Sequence, residues 1–289
     1  MNIIPIAFDP IFTGIFNDEN NIDIVENFLS LYLKVPIEKL RGKVKIKSRK
    51  LISKAKKEHR KEIDLLVDID GKKINIELNN SYDNGVRERN IVYICKVHGG
   101  QLKSGDKNYS DIEETLQINL NSKSCNEKEL IERYYIMNKD GKKLSEKLRI
   151  DIVDIAKANK KMYNKSEEKL GRFLRALTSL SIKEIEKELG EDVMEKESKD
   201  KLLEEVERYN EDEEIAILYS DYTKLERQKN TMIKEAQKEG LEKGLQEGLE
   251  KGREERTKEI VKKMLEDNVN VETISKYTNL AIKEIEDLK

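Results

Sequence analysis

The chain has 289 residues, 39% of them charged and 37% apolar, with a formal net charge of −2, no Trp and two cysteines. That charged fraction stands well above the ~25% of an ordinary globular domain and points to long solvated helices beside a core of ordinary size. Near-zero net charge excludes a global field that would gather acidic or basic partners. Cys95 and Cys125 are too far apart for a CxxC site, and His59 and His98 are too scattered for a zinc ligand set. This usage suits a reducing, cytoplasmic compartment. The apolar start "MNIIPIAFDPIF" carries Asp9 and two prolines without a basic leader, which argues against a signal peptide. No run approaches the ~18 apolar residues of a membrane span, so no membrane partner is expected.

In chain order, the first strong pattern is "NIDIVENFLSLYL". Ile22, Val25, Phe28, Leu29, Tyr32 and Leu33 recur at helical spacing, with Asp23 and Glu26 on the exposed side and Pro36 just beyond the end. Residues 34–61 then hold thirteen Lys/Arg against two Glu. Within this block "KVKIKS" alternates like a strand, with Val44 and Ile46 inward. The next segment, "KEIDLLVDIDGKKINIELNNS", reads as two alternating strands around Asp70-Gly71, a strong hairpin signal. With that pair at the centre of a type I′ turn, Ile69 meets Lys72, Val67 meets Ile74, Leu65 meets Ile76 and Ile63 meets Leu78. On the other face Asp64 falls across from Glu77, and Glu62 across from Asn79.

Beyond the hairpin, "RERNIVYICKVHGG" predicts a helix, with Val86, Ile91, Tyr93, Ile94 and Val97 as packing positions. A loop, "QLKSGDKNYSD", leads to the strand "ETLQINLN", with Leu116, Ile118 and Leu120 on one face. A second Asp-Gly turn in "YYIMNKDGKK", the strand "LRIDIVDIA" and a helix around "SEEKLGRFLRALTSLS" complete a compact α/β domain over 1–180. A charged helical region follows over 181–257, then a small helical tail over 258–289. The charged region contains a repeat, "KEGLEKGLQEGLEKG", with Gly240, Gly244, Gly248 and Gly252 every four residues. It reads equally as a small-residue seam for a homo-oligomer and as a frayed charged linker. In the tail, Ile260, Met264 and Leu265, then Val271, Ile274 and Tyr277, then Leu280, Ile282, Ile285 and Leu288 mark three short amphipathic helices. Acidic residues on the last favour a packing or partner-binding unit over a DNA-reading one.

Facing positions in an antiparallel pair hold Cβ atoms ~4.5–5.5 Å apart, where like charges repel. Asp64 and Glu77 so placed can share a proton, act as acid and nucleophile on a sugar, or clamp a hard cation such as Mg²⁺. The lack of Trp and the scarcity of aromatics argue against a sugar platform. The basic block upstream favours a cation site that works on a polyanion. A plainer reading is a solvated hairpin face whose acids are offset by Lys72 and Lys73.

"EIDLLVDIDGKKINIELNN" resembles the D-Xn-(D/E)-x-K core of the PD-(D/E)XK nuclease superfamily, in particular its recombination-promoting nuclease, or putative transposase, branch. The N-terminal "FDPIFTGIFNDENNIDIVENFLSLYL" is similar to that branch's first segment and helix. "RERNIVYICKVHGGQLKSGDKNYSDIEETLQINL" is similar to its Arg-x-x-x-Tyr helix, loop and following strand. The glycine repeat and the small helical tail are also typical of the branch.

The resemblance implies a restriction-endonuclease-like α/β core, a mixed central sheet flanked by helices, with a charged helical C-terminal extension. It implies Mg²⁺ (or Mn²⁺) held by Asp64, Glu77 and the Leu78 carbonyl, with Asp9 or Glu26 as further candidate acids. Asn79 stands where the superfamily has Lys and where the branch often has Gln, so it orients by hydrogen bonds and brings no charge. Lys73 or Lys96 is a candidate to supply that charge. Lys43, Lys45, Lys47, Arg49, Lys50 and Arg89 would contact DNA. Tyr93, four residues after Arg89, matches the branch's pair, although core packing accounts for it equally well. The implied activity is metal-dependent DNA hydrolysis with weak base preference, tied to recombination or mobile elements. The alternative is a weak or inactive nuclease fold serving as a DNA-binding or oligomeric scaffold.

Overall fold

The structure, a computed structural model, describes residues 2–47, 63–80, 84–102, 108–125 and 127–288. The chain divides into two compact units, Met1–Tyr219 and Ser220–Lys289.

The first unit is built on one six-stranded sheet: β1 (Val44–Lys47), β2 (Leu65–Ile69), β3 (Lys72–Asn79), β4 (Thr115–Asn121), β5 (Ile131–Tyr135) and β6 (Leu148–Asp154), in the order β1-β2-β3-β4-β6-β5. β1, β2 and β3 run antiparallel, β3, β4 and β6 run parallel, and β5 closes the edge antiparallel to β6. Helices α1 (Asp9–Phe16) and α2 (Ile22–Leu33) precede the sheet, and α3 (Asn84–Gly99) makes the crossover between β3 and β4. After β6 come α4 (Ile155–Asn159), α5 (Glu168–Thr178), α6 (Ile182–Glu188) and α7 (Lys196–Glu211). This mixed sheet flanked by helices is the restriction-endonuclease-like α/β fold expected from the sequence.

Local chemistry sets the hairpin. Asp70 and Gly71 adopt φ of 51° and 95°, the two positive values that a type I′ turn requires. The register follows, with Ile69 opposite Lys72, Val67 opposite Ile74 and Leu65 opposite Ile76. Ile74, Ile76 and Leu78 continue this apolar face into Leu116, Ile118 and Leu120, their register partners on β4. α2 covers it: Phe28 meets Phe173 of α5 at 5.2 Å between ring centroids, and the Tyr32 hydroxyl donates to Asp151 of β6 at 2.7 Å. Asp151 is also 3.0 Å from Arg149, so this buried acid is paired. Aromatic burial of this kind contributes ~1.5–3 kcal/mol per side chain.

Two packing expectations change. Glu26 is buried rather than exposed, because it turns inward to accept the Gly42 amide at 3.1 Å. Ile91 is exposed, and Asn90 takes the inward position between Val86 and Tyr93.

Helix α8 (Glu213–Glu266) runs unbroken through the glycine repeat. An added Cβ at Gly240, Gly244, Gly248 or Gly252 would meet nothing within 4 Å. The end of α8 packs with α9 (Val271–Thr278) and α10 (Ile282–Glu286) around Val261, Ile274 and Ile285. Ile260, Tyr277 and Ile282 are exposed instead of packed, since Val261 and Ile274 fill the seam. No described helix is long and apolar enough to cross a membrane.

Candidate active site

The alternate positions of β3 and β4 form the sheet's other face, and the residues there are polar: Asn75, Glu77 and Asn79, then Thr115, Gln117, Asn119 and Asn121. All seven are buried. A solvated face was one reading of this pattern. It fails because α3 lies over the face: His98 of α3 meets the Thr115 hydroxyl at 2.8 Å, and Arg89 donates to the Asn79 side-chain oxygen.

Asp64 sits in a bend just before β2, where the regular ladder has stopped at Leu65–Ile76. It still faces Glu77, through exchanged groups. The Asp64 carboxylate accepts the Leu78 amide at 2.7 Å, and the Asp64 amide donates to the Glu77 carboxylate. The Leu78 N–H and carbonyl of an extended residue point to the same strand edge, so the Leu78 carbonyl is directed toward Asp64. Asn17, the C-cap of α1, fixes the bend by donating to the Asp64 carbonyl at 2.6 Å.

Glu77 is 3% exposed. Burial first, and the Asp64 charge second, push its carboxyl up to about 8, while Asn75 (3.1 Å) and the Arg89 guanidinium act to lower it. A carboxyl held there is mostly protonated near neutral pH unless a cation takes the proton's place. The donors around it are a carboxylate, a second carboxylate and a backbone carbonyl, all hard oxygens of the kind Mg²⁺ or Mn²⁺ prefers. The buried Asn17 Oδ1 and Asn79 Nδ2 add polar atoms that have no partner among the described residues. The residues therefore fit a divalent cation. Among the described residues no group of three or more Asp, Glu, His or Cys is placed to hold a metal ion together, so the set here is two acids plus backbone.

Glu26 is not brought to this site; it faces Gly42 and Arg41. Asp9 opens α1, about 12 Å along the axis from Asn17. Lys73 is spent on an ion pair with Asp68, and Lys96 is exposed. Among the described residues, Arg89 brings a cation beside Glu77 and Asn79, and its guanidinium also lies 6.0 Å from the Tyr93 ring centroid. Tyr93 is buried, and burial first, then the Glu77 charge, raise its hydroxyl pKa.

Register places Lys45 beside Asp68 and Lys47 beside Leu66, which puts both lysines on the carboxylate face of the sheet. Lys43 pairs with Asp70 at the hairpin turn, at 2.9 Å. Arg49, Lys50 and Glu62 lie outside the described residues. Sequence reasoning missed three groups. Asn75 was accessible to it, as the residue two before Glu77 on the same strand face. Asn119 was not, because it reaches Glu77 only through the parallel register of β3 and β4. Asn17, 47 residues before Asp64, leaves no local signal.

In comparisons with known proteins, no curated protein and no solved structure matches the chain. A family model described as PD-(D/E)XK nuclease family transposase matches residues 7–236, most of the chain, and the chain belongs to that family.

Proposed function

We propose that the protein is a metal-dependent endonuclease that hydrolyses DNA phosphodiester bonds, with a role in recombination or mobile elements. One observation carries this reading: Glu77 is buried against Asp64 with its carboxyl pushed up to about 8, in a chain of a nuclease family. Asp64, Glu77 and the Leu78 carbonyl would hold Mg²⁺ or Mn²⁺. Such an ion, when bound, polarises the scissile phosphate and lowers the pKa of an attacking water. Around it, the chain's own residues orient the reactants. Asn75 and the Asp64 amide fix the Glu77 carboxylate. Arg89 supplies the positive charge that Asn79 lacks and leaves the Asn79 amide nitrogen free to donate to a phosphate oxygen. Lys45 and Lys47, with Lys43, Arg49 and Lys50, would position the backbone without reading sequence. The glycine row of α8 is a candidate seam between copies of the chain.

A second reading, a weak or inactive nuclease fold that binds DNA as a scaffold, is favoured by Asn79 in the lysine position. Supercoiled plasmid with purified protein, with and without Mg²⁺ or Mn²⁺, separates the two. The expected result is metal-dependent nicking that disappears in Asp64→Ala and Glu77→Ala while low-salt DNA binding persists. Salt-sensitive binding without any metal-dependent product would favour the scaffold.

A further inference from the structure

Next to Glu77 in the sheet stands Asn119, its register partner on β4, and next to Asn119 stands Ile152 on β6. Adjacent strands lie ~4.8 Å apart, so this row runs directly away from the carboxylates. It leads into a pocket of about 200 Å³. That is smaller than the ~300–1,000 Å³ clefts that take drug-sized ligands, and it suits one ring system.

The walls have a specific chemistry. Ile150 and Ile152 form an apolar floor, and Ile91 of α3 stands over it, half exposed at a position where a helix facing only water would carry a polar residue. Tyr134 of β5 closes one side, its hydroxyl held by Glu127 at 2.8 Å, and Glu127 also pairs with Arg87 at 2.6 Å. Asn90 lines the same pocket. It is 4% exposed, and its Oδ1 has no partner among the described residues. A buried carbonyl without a partner costs ~1–3 kcal/mol. Flat apolar walls, one aromatic ring and an unspent amide edge are what a nucleobase uses when it is taken out of its stack.

We propose that this pocket receives one unstacked nucleobase of the DNA strand that lies across Asp64 and Glu77. The amide of Asn90 meets the polar edge of the base, while Ile91, Ile152 and Tyr134 contact its faces. The proposal rests on the nucleic-acid reading of the carboxylate site. It adds that the substrate is single-stranded or locally unpaired there, because a base inside a duplex cannot enter.

The test uses the full chain in EDTA, which keeps it independent of cleavage. Single-stranded oligonucleotides carrying one 2-aminopurine are titrated at low salt, with anisotropy reporting binding and 2-aminopurine emission reporting unstacking. The same oligonucleotides annealed to their complements run alongside. The expected result is an emission rise for the single strand and about tenfold weaker binding in Ile91→Ala and Asn90→Leu. Ile91→Ala is safe for folding, since Ala suits an exposed helical site. Asn90→Leu removes an orphaned carbonyl, so a merely structural Asn90 predicts equal or higher thermal stability with unchanged binding. Binding without an emission rise, unaffected by either variant, overturns the pocket and leaves the nuclease reading standing. Absence of any oligonucleotide binding at low salt overturns both.

Discussion

The two faces of the central sheet are made by the same strands and are both buried, yet they differ in kind. Under α2 and α5 lie Ile74, Ile76, Ile118 and Leu120 with Phe28 and Phe173, and the acid that β6 places there, Asp151, is paired with Tyr32 and Arg149. Under α3 lie Glu77 and a ladder of amides, and Asn75, Asn79, Asn90, Gln117 and Asn121 each leave a buried polar atom without a partner among the described residues. Burial alone therefore does not separate core from site. Asp151 Oδ1 and Arg149 Nε under α2 also lack a hydrogen bond, but they face each other as an ion pair at 3.0 Å, whereas the unsatisfied amides under α3 carry no charge to answer one another. Folding tolerates this second face because the first supplies the apolar burial.

The largest expected effects should divide cleanly between the faces. Glu77→Gln removes a metal-binding carboxylate worth several kcal/mol at the transition state, so plasmid nicking should fall by at least about 10³-fold. Its thermal midpoint in the metal-free protein should hold or rise, because a neutral amide is buried without the proton uptake that Glu77 requires on folding near neutral pH. Phe28→Ala should do the reverse. It should cost ~3–5 kcal/mol of stability, seen in denaturant unfolding, while the fraction still folded keeps its specific activity. Equal stability losses in both variants would erase the distinction between the faces.

A pH series sharpens the same contrast. The folded Glu77 carboxyl titrates at about 8, against an ordinary 4.5, so between those values the folded chain holds a proton that the unfolded chain has lost. Its contribution is fully present below pH 4.5 and disappears as pH rises through 8. Burial shifts Asp151 in the same direction, while Asp68, lowered by its bonds to Lys73 and Gly71, acts oppositely and only at acid pH. Melting of the metal-free protein should therefore drop by several degrees from pH 5 to pH 8, with a shallower slope in Glu77→Gln. An unchanged slope in that variant would assign the effect to other groups.

The smallest effect lies outside the sheet. Gly244→Ala adds a methyl where nothing stands within 4 Å and should stabilise α8 by ~1 kcal/mol. If the glycine row is a seam between copies, the same change should weaken self-association in sedimentation velocity even as the helix becomes more stable.

The hairpin and its register were legible in the sequence because they depend on nearest neighbours: Asp70 and Gly71 accept positive φ, and a period of two assigns Leu65, Val67, Ile74 and Ile76 to one face. The same period put Asp64 opposite Glu77 and Glu77 beside Asn75. Helix α2 was equally legible, apart from Glu26, whose inward turn depends on an amide sixteen residues away. Periodicity tells which residues share a face, but not whether anything covers it. Only the tertiary structure decided that α3 would bury the polar face, bring Arg89 to Asn79 and leave Ile91 exposed over Ile152. It also delivered Asn17 to the Asp64 carbonyl from 47 residues away. These contacts arise from the parallel crossover and from packing between distant segments, where the pairing energy has no counterpart in local sequence.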